Sequence, residues 1–396
     1  MNVLILSASL YLTDNKPAGE GIIAYEIIKR LAKKCNLTVL APNIDLIEKP
    51  DCEFYEIGKY KFFPAPDEFT YKFNWWKYSI NLYLKCRKLL TKKHFDIFHF
   101  MMPVNFNQSF SLFFKKPFII GPVFFPWLED EYGENFQFPN QLTFFNKIQY
   151  RLIRLNNKIT KKLFNKFLSN ADKIVLTLDS VKKFLPQEFH NKTIEIPVGV
   201  DSEYFKPLQN KEKKEEIILL STVYLVRRKG IHYLIDALKI VKEKGITNFK
   251  LNIVGSGPDE FFFRQKVINS NLSDNVTFVG FLPHNQTLDF YQNADIYCHP
   301  ALGEPFGLSI VEAMATELPV ILFNCGGAPE VISDENKKIL IEPKNINDLA
   351  NKIIKLIKEE EYRKYIGKKN REKVIEKYDW EIIANNYYNL YKLFCK

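Results

Sequence analysis

Two glutamates eight positions apart, Glu304 and Glu312, have Pro305-Phe306-Gly307 between them and Gly326-Gly327 after them. Pro305 biases Glu304 away from the α region, so Gly303–Gly307 cannot be helical throughout. From Gly307 the apolar residues Leu308, Val311, Met314 and Ala315 follow the spacing of a helix with one buried face. The start of that helix, Gly307–Ser309, presents bare backbone N–H groups and a positive dipole end to any nearby anion, a contribution of about 0.3–1 kcal/mol per exposed charge. Glu304, held in the loop, can accept from the hydroxyls of a sugar. Glu312 lies one to two turns further on, roughly 5–10 Å along the axis, where it can take both hydroxyls of a ribose. A diphosphate, a sugar and a ribose would use this surface together. A lone E-x7-E would be read as a turn residue plus an exposed helical residue; the flanking Pro-Phe-Gly and Gly-Gly favour the binding surface.

The elements that must position these residues form a series of α/β units. Asp295–Cys298 is the strand leading into the site, Leu318-Pro319 ends the helix, and Val320–Phe323 is a buried parallel strand. Gly326-Gly327-Ala328-Pro329-Glu330 opens another loop-to-helix turn. Upstream, the strand Ile217–Ser221 is followed by Lys229-Gly230 and a helix carrying Leu234, Ala237, Leu238 and Val241. Leu251–Val254 runs into Gly255-Ser256-Gly257-Pro258, and Val276–Val279 into Gly280-Phe281-Leu282-Pro283.

The first half reads as a second such series. Asn2–Ser7 is a strand, Pro17–Gly21 a loop, and Ile23, Ile27, Ile28 and Leu31 mark one face of a helix before the strand Leu37–Leu40. No G-x-G-x-x-G is present, so a dinucleotide is not indicated. Gly19-x-Gly21 could approach a phosphate or sugar at the strand ends, or be only a tight turn. Residues 51–76 read as an aromatic loop or lid, with a helix over about 80–90, then the strands Asp96–Phe100 and Phe118–Ile120. His99 falls at a strand end, where open α/β sheets bind ligands, and a satisfied core histidine is the equal alternative. Ala171–Leu176 and Ile194–Pro197 are two more strands. Gly199–Phe205 follows, and the charged tract Lys211–Glu216 reads as the domain linker.

At 396 residues, two domains are expected. The six cysteines form no C-x-x-C or Cys/His cluster, which points to free thiols in a reducing, cytoplasmic setting and to no metal site. No signal peptide and no apolar run of spanning length are read from the sequence. The net charge is +10. Part of it lies in an acid-free stretch in which Lys147, Arg151, Arg154, Lys158, Lys161, Lys162 and Lys166 are interleaved with Ile148, Leu152, Leu155, Ile159 and Leu163. A solvated helix face and an anionic membrane surface are equal readings of 147–166; nucleic acid is not expected, since no recognition module accompanies the charge.

With G-V-D-x-x-x-F from Gly199, R-K-G from Arg228, V-G-x-G-P from Val254, E-x7-E from Glu304 and G-G-x-P-E from Gly326 in this order, the chain resembles the retaining glycosyltransferases of family 4, the glycosyl transferases group 1 set. The resemblance covers nearly the whole length. It implies an α/β GT-B fold of two Rossmann-like parallel-sheet domains facing a cleft. The first would span 1–205, the second 206–379, with a C-terminal helix, 380–396, crossing back to the first. It further implies a nucleoside diphosphate sugar as co-substrate, no other cofactor, and a saccharide or lipid-linked acceptor. By position, Lys229 and Arg228 would meet the donor diphosphate together with Phe306, Gly307, Leu308 and Ser309, and the Gly19–Gly21 loop would close over it. Glu304, Pro305 and Phe306 would hold the transferred sugar, Glu312 the ribose, and Gly255, Phe281 and Leu282 the base. Glu304, Lys229 and His99 are the catalytic candidates. Two departures stand out: Val223 occupies the position of a second diphosphate-binding Arg, for which Arg227 or Arg228 could substitute, and the strand Phe118–Ile120 runs into Gly121-Pro122-Val123 where many members place a His. The rival readings are a non-catalytic nucleotide-sugar or glycan-binding protein and a nucleotide-sugar epimerase on the same fold.

Overall fold

A computed structural model describes residues 1–9, 11–15, 19–58, 68–101, 117–124, 165–209 and 215–395. The described chain divides into two compact units: one takes the residues up to Pro197 and those from Glu381 onward, the other Val198–Trp380.

The first unit is built on a seven-stranded sheet. Its strands are β1 (Asn2–Leu6), β3 (Asn36–Ala41), β5 (Glu53–Glu56), β6 (Ile97–Phe100), β7 (Phe118–Val123), β8 (Lys173–Leu176) and β9 (Thr193–Glu195). They are all parallel, in the order β5-β3-β1-β6-β7-β8-β9. The short strands β2 (Leu12–Thr13) and β4 (Ile44–Asp45) pair separately. β1, β6 and β7 are apolar almost without break, as strands covered on both faces must be. Helix α1 (Gly19–Leu31) buries Ile23, Ile27, Ile28 and Leu31, the face read from the sequence. Gly19 and Gly21 lie in its first turn rather than in a loop. A Cβ at Gly21 would come 2.0 Å from the Tyr11 carbonyl oxygen, so close packing alone requires glycine there.

The stretch 51–76 is not one loop or lid: it contains β5, and helix α2 begins at Glu68 and runs to Leu90. The basic stretch 147–166 falls outside the described residues except at its last positions, as do residues 211–214 of the charged linker. The C-terminal helix, Trp380–Lys392, belongs with the first unit from Glu381 onward.

In the second unit β10 (Ile217–Thr222), β11 (Phe249–Val254), β12 (Val276–Gly280), β13 (Ile296–His299) and β14 (Val320–Leu322) form a parallel sheet in the order β12-β11-β10-β13-β14. The chain leaves β10 toward β11 and β12, then returns to the other side of β10 as β13. Loops after β10 and β13 therefore diverge at a switch point, the place where open α/β sheets bind ligands. Helix α3 (Ile231–Glu243) follows β10 and buries Ile231, Leu234, Ile235, Ala237, Leu238 and Val241, each worth about 1.5–3 kcal/mol when it is a large side chain. Helix α4 (Leu308–Ala315) follows β13 and buries Ile310 through Ala315.

The unit boundary lies at 197/198 rather than 205/206. The Gly199–Phe205 stretch is tied into the second unit: Val200 bridges Asp379, Ser202 Oγ donates to Asp379 at 2.5 Å, and the Phe205 ring packs on His284 and Tyr291, with centroids 5.4 and 5.7 Å away.

Candidate active site

The switch point of the second unit brings Lys229 and Glu304 together. Lys229 closes a 3-10 turn, Arg227–Lys229, after β10, and Gly230 then takes φ +76°. A Cβ at residue 230 would sit 1.7 Å from the Pro300 carbonyl oxygen, so only glycine lets the two loops approach this closely. The Leu302 N–H donates to the Arg228 carbonyl at 2.9 Å and fixes the same approach. From the other side, Gly327 N–H donates to the Glu304 carbonyl at 2.8 Å, and Gly326, at φ +71°, would place a Cβ 2.6 Å from that oxygen. Both glycine motifs of the sequence thus serve to hold Glu304 in place.

The Glu304 carboxylate is ion-paired with the Lys229 ammonium, and the His299 Nε2–H donates to Glu304 Oε2 at 3.0 Å. Burial alone would raise the Glu304 carboxyl; the Lys229 charge and the His299 hydrogen bond outweigh it and hold the group well below the usual carboxylate range. Burial lowers His299, so its ring is neutral at pH 7, with the proton on Nε2 and Nδ1 facing the Tyr297 hydroxyl at 3.5 Å.

Glu312 sits in the second turn of α4, 8% exposed. Tyr291 Oη donates to its Oε2 and His284 Nε2 lies against its Oε1, both at 2.7 Å. Phe205 packs behind both donors, which gives the G-V-D-x-x-x-F stretch its physical role. Burial, with the Glu312 charge adding to it, pushes the Tyr291 phenol well above its ordinary value and keeps it a donor. His284, Tyr291 and His299 carried no signal as a motif. Tyr297 and His299, two apart on one strand, could have been found by their shared face.

The remaining expected residues fall around this cluster. Gly307 caps α4 at φ +88°, and the amides of Leu308 and Ser309 lie in its first turn. Phe306 is 2% exposed with its ring edge-on to Tyr378, so its side chain packs and only its backbone faces the loop; Pro305 is buried beside it. Gly255, at φ +130°, donates to the Gly280 carbonyl at 2.8 Å, and a Cβ there would strike the Val223 carbonyl. Phe281 beyond it is half exposed, as is Tyr224 in the loop after β10. The Arg227 guanidinium lies over the Phe262 ring at 4.1 Å, with its Nε 3.9 Å from Asp259.

His99 and the Gly19–Gly21 turn belong to the first unit. His99 is fully buried in the middle of the sheet, in register with Ile5 and Ile119. Its Nε2–H donates to the Gly121 carbonyl at 2.8 Å and its Nδ1 accepts from Tyr391 Oη at 2.5 Å. Burial lowers its pKa to about 4. Both nitrogens are thus engaged within the core, the second of the two readings its position allowed.

No group of three or more potential metal ligands occurs among the described residues, and no described helix is long and apolar enough to cross a membrane.

Known proteins resemble this chain at two levels. An uncharacterised glycosyltransferase of Methanocaldococcus jannaschii is 33% identical over 179 residues, 45% of each chain. The chain spans between 45% and 61% of the lengths of the first curated relatives it matches. Among solved structures, sucrose-phosphate synthase from Thermosynechococcus elongatus superposes with TM-score 0.73 at 22% identity, covering 99% of this chain and 98% of that one. The Anabaena protein HepE in complex with UDP-glucose does so with TM-score 0.67 at 18% identity, covering 99% and 100%. The family model described as "Glycosyl transferases group 1" matches residues 203–373. Residues 203–373 thus match the glycosyl transferases group 1 family, in a chain that has a GT-B fold of two Rossmann-like units.

Proposed function

We propose that the protein is a retaining glycosyltransferase that moves a hexose or hexosamine from a nucleoside diphosphate sugar to a saccharide or lipid-linked glycan acceptor. The observation that carries this reading is the meeting of Lys229, Glu304 and the N-terminus of α4 at the sheet's switch point. A diphosphate there takes the ammonium and the Leu308 and Ser309 amides as counter-charge, a supply that needs no metal ion. Arg228, next to Lys229, adds a second cation in place of the one missing at Val223. Glu304 accepts from the sugar hydroxyls, a contact that strengthens as the sugar gains positive character. Glu312 takes the ribose with Tyr291 and His284 fixing its rotamer, and Gly255, Phe281 and Leu282 border the base. The leaving diphosphate takes the acceptor proton on the face of attack. The relative solved with UDP-glucose supports a nucleotide-sugar donor.

Incubation with UDP- and GDP-sugars plus candidate acceptors tests this: acceptor-dependent nucleotide release with retained anomeric configuration by NMR is expected, and an inverted centre would overturn the mechanism. Val223, and a His99 whose nitrogens are both engaged, favour as second reading a binding protein without turnover. Nucleotide binding with no release in any acceptor mixture would select it; a changed sugar without release would select an epimerase.

A further inference from the structure

Between the two carboxylates lie three hydroxyls and one imidazole in close sequence, Thr222 part-buried and the others buried. Tyr291 Oη, which donates to Glu312, is 2.7 Å from Thr222 Oγ1. Thr222 Oγ1 is 2.9 Å from Tyr297 Oη, and Tyr297 Oη faces His299 Nδ1 at 3.5 Å, the longest step. His299 then donates to Glu304. Tyr291 and Tyr297 are at most 1% exposed and His299 4%. The rings also pack: Tyr291 and Tyr297 centroids are 5.8 Å apart, and Tyr297 and His299 are stacked at 6.1 Å with 17° between planes. Tyr297 further bonds the Ser309 side chain at the start of α4.

We propose that Thr222, Tyr291, Tyr297 and His299 are positioning residues that act as one bridge, fixing Glu312 and Glu304 in a common register so that nucleotide binding at the first sets the sugar-binding geometry of the second. Proton inventory gives the bridge a direction. The Tyr291 proton goes to the Glu312 carboxylate, so Tyr291 must accept from Thr222, and Thr222 must in turn accept from Tyr297; Tyr297 then has no proton for His299 Nδ1, and the last step is carried by the stacking of the two rings. Each hydroxyl has one proton, so loss of one leaves its buried neighbour short of a partner, which is why such networks respond as units. A purely packing role for these side chains needs no such connectivity, and two phenols and a threonine would be costly filler for it. This inference rests on the donor-binding reading given above for Glu312 and Glu304.

The test uses the full chain. Thr222→Val keeps the volume and removes the hub hydroxyl; Thr222→Ser restores it. UDP and GDP affinity by calorimetry reads the Glu312 end, and kcat for sugar release reads the Glu304 end. Tyr291→Phe is expected to weaken binding of the preferred nucleotide roughly tenfold, the scale of a hydrogen bond to a charged group, and to lower kcat as well. His299→Gln is expected to lower kcat and, through the bridge, to weaken nucleotide binding. Their combined effect on kcat/KM should depart from the product of the single effects by about threefold or more. Independent multiplication, or no effect of Thr222→Val at either end, overturns the bridge. A readout free of function is also available: in 15N-histidine spectra the His299 ring resonances should move in Thr222→Val and return in Thr222→Ser. If the wild-type protein binds neither nucleotide, the donor reading fails, and the His299 resonances alone then decide: unmoved by Thr222→Val, they overturn the bridge too.

Discussion

The Lys229 ammonium is ion-paired with the Glu304 carboxylate across 75 residues of sequence, with only 13% and 11% of the two side chains exposed. The cation expected for phosphate and the carboxylate expected for sugar neutralise each other before any donor is present. On the proposed reading, an incoming diphosphate would share Lys229 with Glu304 rather than meet a bare charge.

Removing that cation should expose the cost of the carboxylate. Lys229→Ala is expected to destabilise by about 3–5 kcal/mol at pH 7, since it leaves a buried charge unpaired. In the wild type the Glu304 value lies below its unfolded one, so its contribution is present above about pH 4 and lost only as pH falls through the folded value. In the variant only the His299 hydrogen bond still opposes burial, so the group lies higher than in the wild type and lowering pH from 7 toward 4 should narrow the gap in Tm. Parallel Tm-versus-pH curves for the two proteins would contradict this account.

Glu312→Ala is expected to weaken UDP or GDP binding by roughly 1.5–3 kcal/mol, seen by calorimetry. Glu304→Ala should leave nucleotide affinity closer to wild type and lower kcat instead. If both changed only Tm, neither carboxylate would belong to the donor site.

His99 should reveal itself through stability. Its folded pKa of about 4 lies below the unfolded value of about 6.5, so the unfolded chain binds the extra proton between those limits and stability falls as pH drops through that window. The full contribution, about 3 kcal/mol, is present above pH 6.5 and lost by pH 4. His99→Gln should flatten that slope in melting curves and leave kcat per folded molecule unchanged. A large kcat loss in folded variant would return His99 to the catalytic list.

Gly326→Ala forces a left-handed φ on alanine, about 1–2 kcal/mol, and drives a Cβ against the Glu304 backbone. We expect kcat/KM to fall further than stability, because the displaced residue is the one set to hold the sugar. Comparing activity with the urea midpoint checks it; a loss confined to the midpoint would separate Gly326 from the site.

Most strands were legible because parallel strands buried on both faces read as short apolar runs, and Ile217–Thr222, Phe249–Val254 and Ile296–His299 lie where those runs are. The Glu304 loop and the α4 start were legible from Pro305 and Gly307, whose backbone restrictions are local. The pairing of Glu304 with Lys229 and His299 was not, because nothing local couples a turn after one strand to a loop after another. His284 and Tyr291 were missed for the same reason: each is an unremarkable residue until the chain folds it against Glu312. Gly199–Phe205 was misplaced by eight residues of boundary, since its partners, Asp379, His284 and Tyr291, are all far downstream.

The loops carrying Lys229 and Glu304 are fastened to each other through Gly230 against Pro300, Leu302 to Arg228, and Gly327 to Glu304. Sequence change is therefore channelled away from them. Tyr224 and Phe281, which stand half in solvent, can be varied at little cost to folding, whereas a side chain at Gly230 or Gly326 would strike the backbone of the facing loop.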